Sequence, residues 1–201
     1  MLANSRYVKV GLVALLLWWI PTRTVLAENP KQQLQGTMER VMDVTRTFNR
    51  ASDFAENKDL LRRLILPRFD FIEMARRSLG RHWQSLNGRE AEFLDAFVQF
   101  AEGSYMNALG SYRGEKIVYG REQVDRNLAE VDTQVLSPRG EAAAVTYRLH
   151  LVGDDWKVYD VVIEHVSLVS NYQSQFSRIL RTSPLDELLK KLREKSEGRE
   201  G

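Results

Sequence analysis

Two carboxylates interrupt an apolar run late in the chain: Asp160 and Glu164, within W-K-V-Y-D-V-V-I-E at residues 156–164. A buried carboxylate is costly unless it is paired or close to water, and two of them in a cleft could do acid–base work. Their spacing argues against paired-carboxylate hydrolysis. Four residues of extended chain at about 3.3 Å each set them about 13 Å apart, beyond the roughly 5–9.5 Å that separates the carboxyls of glycosidases. A single Asp160 in an apolar cup remains a candidate base for an isomerase-like enzyme with a cone-shaped α+β cavity. The rest of the catalytic inventory is thin. There is no G-x-x-x-x-G-K-[ST] loop for ATP and no G-x-S-x-G elbow. The absence of cysteine removes thiol nucleophiles and disulfides together. His82, His150 and His165 are scattered without H-E-x-x-H spacing, so the sequence implies neither a metal site nor a cofactor.

The elements that would carry these carboxylates read as a strand feeding a helix. Strict alternation from Trp156 puts Trp156, Val158, Asp160 and Val162 on one face and Tyr159, Val161 and Ile163 on the other, both largely apolar. At Ser167 the spacing changes to threes and fours through Leu168, Tyr172, Phe176, Ile179 and Leu180, with Ser167 as the N-cap. This junction is expected to form a wall of an apolar cavity with a polar rim.

Before it lie Lys116–Tyr119, Glu130–Leu136 and Ala142–Val152, separated by the turn signals Gly-Arg-Glu, Ser-Pro-Arg-Gly-Glu and Gly-Asp-Asp. The third strand alternates Val145, Tyr147, Leu149 and Leu151 against Thr146, Arg148 and His150. The connections are too short for crossovers, so about four strands form an antiparallel meander. Helices precede and follow the sheet, which makes the class α+β.

The first helix begins at Pro30 with the stripe Leu34, Met38, Val41, Thr45 and Phe48, and its Met38 and Met42 suit either plain core or an adaptable ligand surface. A short helix from Asp59 stops at Pro67. Asp70 and Glu73 have capping-box spacing ahead of Gly80, and Asn87 with Glu90 repeats that signal. The following helix carries Phe93, Phe97, Phe100 or Ala101, Tyr105 and Leu109. Its apolar arc is too wide for one buried face, so it is either a central core helix or the border of a cavity. A last helix starts at Ser183-Pro184 and packs through Leu185, Leu188, Leu189 and Leu192, while the charged run from Lys190 is expected to be frayed and solvated.

Two blocks carry a family resemblance. W-K-V-Y-D-V-V-I-E followed by V-S-L-V-S-N-Y and Q-F, together with Pro67–Trp83 and its Gly-Arg-His-Trp exit, resembles the Mla-type periplasmic phospholipid-binding proteins, the MlaC or toluene-tolerance family. His165 stands where that pattern has glycine, and Gln173 where it has arginine. The resemblance implies a non-enzymatic carrier whose cargo is diacyl phospholipid, or a hopanoid-type lipid in a related branch. It also implies partners: an outer-membrane lipoprotein complex and an inner-membrane ABC transporter complex that supplies the ATPase. With that cargo, the faces above place the lipid tails between a helix presenting Phe93, Phe97, Ala101 and Tyr105 and a sheet face presenting Tyr147, Leu149, Tyr159 and Val161. Arg148, Glu164 and Val166 then lie nearer the mouth.

Residues 1–27 read as a cleaved signal peptide: Arg6 and Lys9 precede the apolar run Val10–Ile20, and Val25-Leu26-Ala27 offers a cleavage site. Eleven apolar residues are too few to span a bilayer, which takes about 20. The full chain's formal charge of +2 loses Arg6, Lys9 and Arg23 with this segment and no acid, leaving −1 for residues 28–201. The sequence pI of 8.9 is therefore no nucleic-acid footprint. Residues 28–201 suit a single domain in the periplasm.

Overall fold

The computed structural model describes residues 29–48, 51–110 and 114–198; the signal-peptide expectation lies outside them. Six helices are described: α1 (Pro30–Arg46), α2 (Ala51–Ile65), α3 (Phe71–Leu79), α4 (Glu90–Gly110), α5 (Leu168–Leu180) and α6 (Leu185–Ser196). The sheet is β1 (Lys116–Asp125), β2 (Leu128–Leu136), β3 (Ala142–Val152), β4 (Asp155–Ile163) and the short β5 (Val166–Ser167). These five strands lie in sequence order, every neighbour antiparallel, which is the expected α+β meander with one short strand added.

Local chemistry explains most boundaries. Asp70 caps α3 by accepting from the Glu73 amide at 2.9 Å, and Ser167 caps α5 by accepting from the Ser170 amide at 3.0 Å. Gly80 ends α3 with φ 54°, a backbone conformation that disfavours a side chain. Asn87 does not cap α4. It occupies a positive-φ turn position, and the Glu90 carboxylate accepts from the Gly88 amide instead. The charged run from Lys190 is not frayed, because α6 continues to Ser196, Leu192 is buried, and Arg193 reaches Glu92 of α4 at 3.2 Å.

Two irregularities in the sheet correct the alternation reading. Gly120-Arg121 is a bulge within β1, which runs on to a turn at Arg126-Asn127. The second bulge is at Tyr159: Arg148 pairs with Asp160 but Leu149 with Val158, so Tyr159 is the extra residue. The slip moves every later side chain of β4 to the opposite face from that given by strict alternation. Val161 and Ile163 therefore join Trp156 and Val158 on the inner face, while Asp160 and Val162 turn outward.

The β4–β5 turn is a two-residue hairpin loop, Glu164-His165, with φ 46° and 67°. Positive φ at both central residues is the type I′ requirement, which favours glycine at the second position. This explains the glycine of the family pattern. His165→Gly should relieve the left-handed strain, offset in part by unfolded-chain entropy, for a net gain of about 0.5–1 kcal/mol. That gain should raise Tm by about 2 °C; a lower Tm would contradict the turn geometry.

Three apolar clusters form the core. The first joins α3, α4, α5 and α6 through Phe93, Phe97, Phe176 and Leu188; the second packs Leu34 and Met38 of α1 on Val131, Leu149 and Val158 of the sheet; the third joins α1, α2 and α4 through Val41, Leu61, Ile65 and Met106. Phe69 touches all three and forms a parallel bridge to Val158. A polar knot locks α1 to the sheet. Arg68 donates to Gln33 Oε1 at 2.7 Å, to the Trp156 carbonyl at 2.7 Å and to Thr37 Oγ1 at 3.1 Å, while Gln33 accepts from the Trp156 amide at 2.9 Å. Among the described residues no helix is long and apolar enough to cross a membrane.

Candidate functional site

Where the three clusters meet they leave a cavity of about 570 Å³, within the range of small-molecule sites. Its walls come from every layer. Met38, Val41, Met42 and Thr45 face it from α1, and Ile65, Leu66, Phe69, Phe71 and Met74 from the α2–α3 region. From α4 come Ala101, Glu102, Ser104, Tyr105 and Leu109; from the sheet come Ile117, Val135, Val145, Tyr147, Val161 and Ile163; from α5 come Leu168 and Tyr172. The lining is overwhelmingly apolar. Of its two carboxylates, Glu102 is held by Arg62 at 2.8 Å, and Glu115 is also engaged.

Each wall has its cause in the sequence. Helix α4 is divided along its length: Phe93, Ala96, Phe97 and Phe100 are buried in the helical cluster, whereas Ala101, Tyr105 and Leu109 face the cavity. Both explanations of its wide arc therefore hold, in different halves. Three methionines, Met38, Met42 and Met74, give the cavity flexible and polarisable walls. On the sheet, the Leu149–Val158 pair is fully buried and closes the inner end, while Ile163 is 40 % exposed and marks the rim.

Of the residues expected to surround a ligand, the structure brings Ala101, Tyr105, Tyr147 and Val161 together around the cavity. Phe93 and Phe97 are elsewhere. They lie in a dry aromatic stack, 5.9 Å apart and each about 6 Å from Phe176. Leu149 lies beneath the inner end, and its neighbour across the bulge, Tyr159, is turned outward against His150 and under the Arg77 guanidinium, 4.3 Å from the ring centroid. Arg148 also points outward, donating to Glu130 at 2.9 Å and Asp160 at 3.2 Å. Glu164 accepts from the Ala144 amide at 2.6 Å within the β4–β5 turn, and Val166, 55 % exposed, pairs with Ile163 beside the rim. Sequence reasoning missed Phe69, Phe71, Met74, Leu168 and Ile65 as lining residues. Leu168 and Tyr172 have a signal in the α5 stripe; nothing in the sequence distinguishes the others as lining.

Asp160 does not line the cavity. It is 3 % exposed on the opposite side of the sheet, where it accepts from Ser167 Oγ at 2.7 Å, the Val169 amide at 3.1 Å and Arg148 at 3.2 Å. Every donor around it is structural, and it ties β4 to the start of α5, where a carboxylate also meets the positive end of the helix dipole. The isomerase-like reading thereby loses its base. The histidines lie apart: His150 pairs with Asp70 at 2.9 Å, and His165 sits in the turn.

The comparisons with known proteins agree with this architecture. Residues 35–194 match the family model described as MlaC protein. The chain belongs to the MlaC family. A relative from Haemophilus influenzae, "Intermembrane phospholipid transport system binding protein MlaC", is 24% identical over 91% of this chain and 90% of its own length. The "Toluene tolerance protein ttg2D" of Pseudomonas putida is 24% identical, covering 88% of this chain and 84% of its own. Among solved structures, a phospholipid-binding protein from Ralstonia solanacearum, crystallised with a phospholipid, superposes with a TM-score of 0.75 at 22% identity, covering 85% of this chain and 98% of that one. The family's second departure in this chain, Gln173, packs on the α3 stop, where a Cβ added at Gly80 would collide with the Gln173 carboxamide.

Proposed function

We propose that this chain is a periplasmic carrier of diacyl phospholipid, holding the acyl tails in the cavity with the head group at the rim near Ile163 and Val166. The observation that supports this reading most strongly is an apolar space of about 570 Å³ whose lining runs from the buried interior to the part-exposed Ile163, which pairs with the exposed Val166. The energetics require such a shelter. At about 0.8 kcal/mol per methylene, two tails of some fifteen methylenes cost roughly 24 kcal/mol to expose to water. The name of the Haemophilus relative supplies a phospholipid cargo and an intermembrane route, and the family resemblance implies the two ends of that route, an outer-membrane lipoprotein complex and an inner-membrane ABC transporter complex. Transfer needs no bond to be broken here, only partners that raise or lower the affinity of the cavity.

Vesicle-to-vesicle transfer of a fluorescent phosphatidylethanolamine tests the reading. The rate should rise in proportion to protein concentration, and a rate equal to the protein-free control would overturn it. For export, amino-terminal sequencing of protein released with soluble periplasmic contents should begin near Glu28, following the Val25-Leu26-Ala27 signal. Intact Met1 retained in washed membranes would contradict a released carrier.

A further inference from the structure

Three tyrosines line the cavity, and their hydroxyls are treated differently. The Ser104 hydroxyl, which donates to the Phe100 carbonyl at 3.0 Å, lies near the Tyr172 phenol and favours its ionised form. Among the described residues, Tyr105 and Tyr147 have no hydrogen-bond partner, and both side chains are part-buried in the wall of the cavity. They approach from two walls, Tyr105 from α4 and Tyr147 from β3. A hydroxyl gains by a partner when water is displaced from around it, and two that open on one apolar chamber are free to donate to an acceptor carried by whatever fills it. Burial holds the Tyr147 phenol up at about 12 and that of Tyr105 higher still, with Tyr147 adding to the rise. Both are therefore neutral O–H donors throughout the physiological range.

Their depth indicates which acceptor. Tyr147 pairs with Val161, and the next inner-face pair outward is Val145 with Ile163, the rim residue. Two residues of strand place the Tyr147 level about 7 Å inside the rim. A lipid whose phosphate sits at the mouth carries its ester linkages one layer below, at that level, while its tails continue toward Met38, Phe69 and Met74. We propose that Tyr105 and Tyr147 form a carbonyl subsite, donating hydrogen bonds to the acyl-ester oxygens of the bound lipid and thereby selecting ester-linked over ether-linked tails. This rests on the phospholipid-carrier reading and names the part of the lipid that the chamber recognises.

The test is a competition. The protein is equilibrated with vesicles containing equal amounts of a diester phosphatidylethanolamine and its diether analogue of the same chain length, and the bound lipids are identified by native mass spectrometry. Wild type should take up the diester in preference by roughly tenfold, the net worth of one good hydrogen bond. Tyr105→Phe and Tyr147→Phe keep the rings and should each reduce the preference, the double variant bringing the diester-to-diether ratio of whatever lipid it takes up to one. Equal uptake of both lipids by wild type, or an unchanged preference in the double variant, overturns the subsite and leaves the carrier reading standing. Uptake of neither lipid by wild type refutes the carrier reading itself.

Discussion

Val161→Trp should stay folded and lose its lipid. Val161 lines the cavity on β4 beside Tyr147, so an indole there enters open volume rather than packed side chains. In a filled core the same enlargement would cost about 1–3 kcal/mol or more through overpacking. Ala101→Trp, on the facing helix, makes an independent version of the test. Each variant should keep a melting temperature within a few degrees of lipid-free wild type and retain only a small fraction of the co-purified phospholipid. The contrasting variant is Phe97→Ala. Phe97 is fully buried in the dry stack with Phe93, Phe100, Tyr172 and Phe176, and its truncation should cost about 3–5 kcal/mol. If both Trp variants unfold early, or if both keep a full lipid load, the tails do not occupy this space.

Asp160 carries the second large effect, and it separates a structural carboxylate from a catalytic one. Its oxygens receive Ser167 Oγ, the Val169 amide and Arg148 within a site almost closed to water. Asp160→Ala strands the Ser167 hydroxyl and the Val169 amide, while Arg148 keeps Glu130, and should cost about 2–4 kcal/mol, from about 1–3 kcal/mol for each buried donor left unsatisfied. Asp160→Asn keeps the shape but turns an amide toward donors and should lie between wild type and the alanine variant. Denaturant unfolding measures both. A stability unchanged in the asparagine variant, with turnover of a small substrate lost, would restore the catalytic reading of this residue. The same carboxylate bonds Ser167, which caps α5, and α5 supplies Leu168 and Tyr172 to the cavity. Lipid retention should therefore fall together with stability.

Sequence patterning located the walls of this chamber better than their orientation. The caps at Asp70 and Ser167 and the stop at Gly80 were legible because each depends on local chemistry that a few residues specify. Tyr147 and Val161 do share a face, as the patterning implies, but strict alternation adds Tyr159 to it because alternation has no means of registering a one-residue bulge. Only tertiary pairing reveals that Val158 and Tyr159 together oppose Leu149. Phe93 and Phe97 illustrate a second limit. They have the same helical spacing as Ala101 and Tyr105, and hydrophobic periodicity is identical for a dry core and for an empty apolar chamber. The volume between elements separates them, and that depends on α3, α5 and α6 closing on the face of α4 that carries Phe93 and Phe97 while the side carrying Ala101, Tyr105 and Leu109 borders the cavity. The α6 run K-K-L-R-E-K stays helical because Leu192, within it, continues the stripe of Leu188 and Leu189 that seals the helical cluster, and the charges lie on the other faces.

Native mass spectrometry of the protein beginning near Glu28, purified without detergent, shows whether the cavity holds phospholipid. A population heavier than the polypeptide by the mass of a diacyl phospholipid is expected, with extraction returning that lipid and Val161→Trp returning the bare polypeptide. Wild-type protein that shows only the polypeptide mass, both as purified and after incubation with phospholipid vesicles, would contradict the carrier reading.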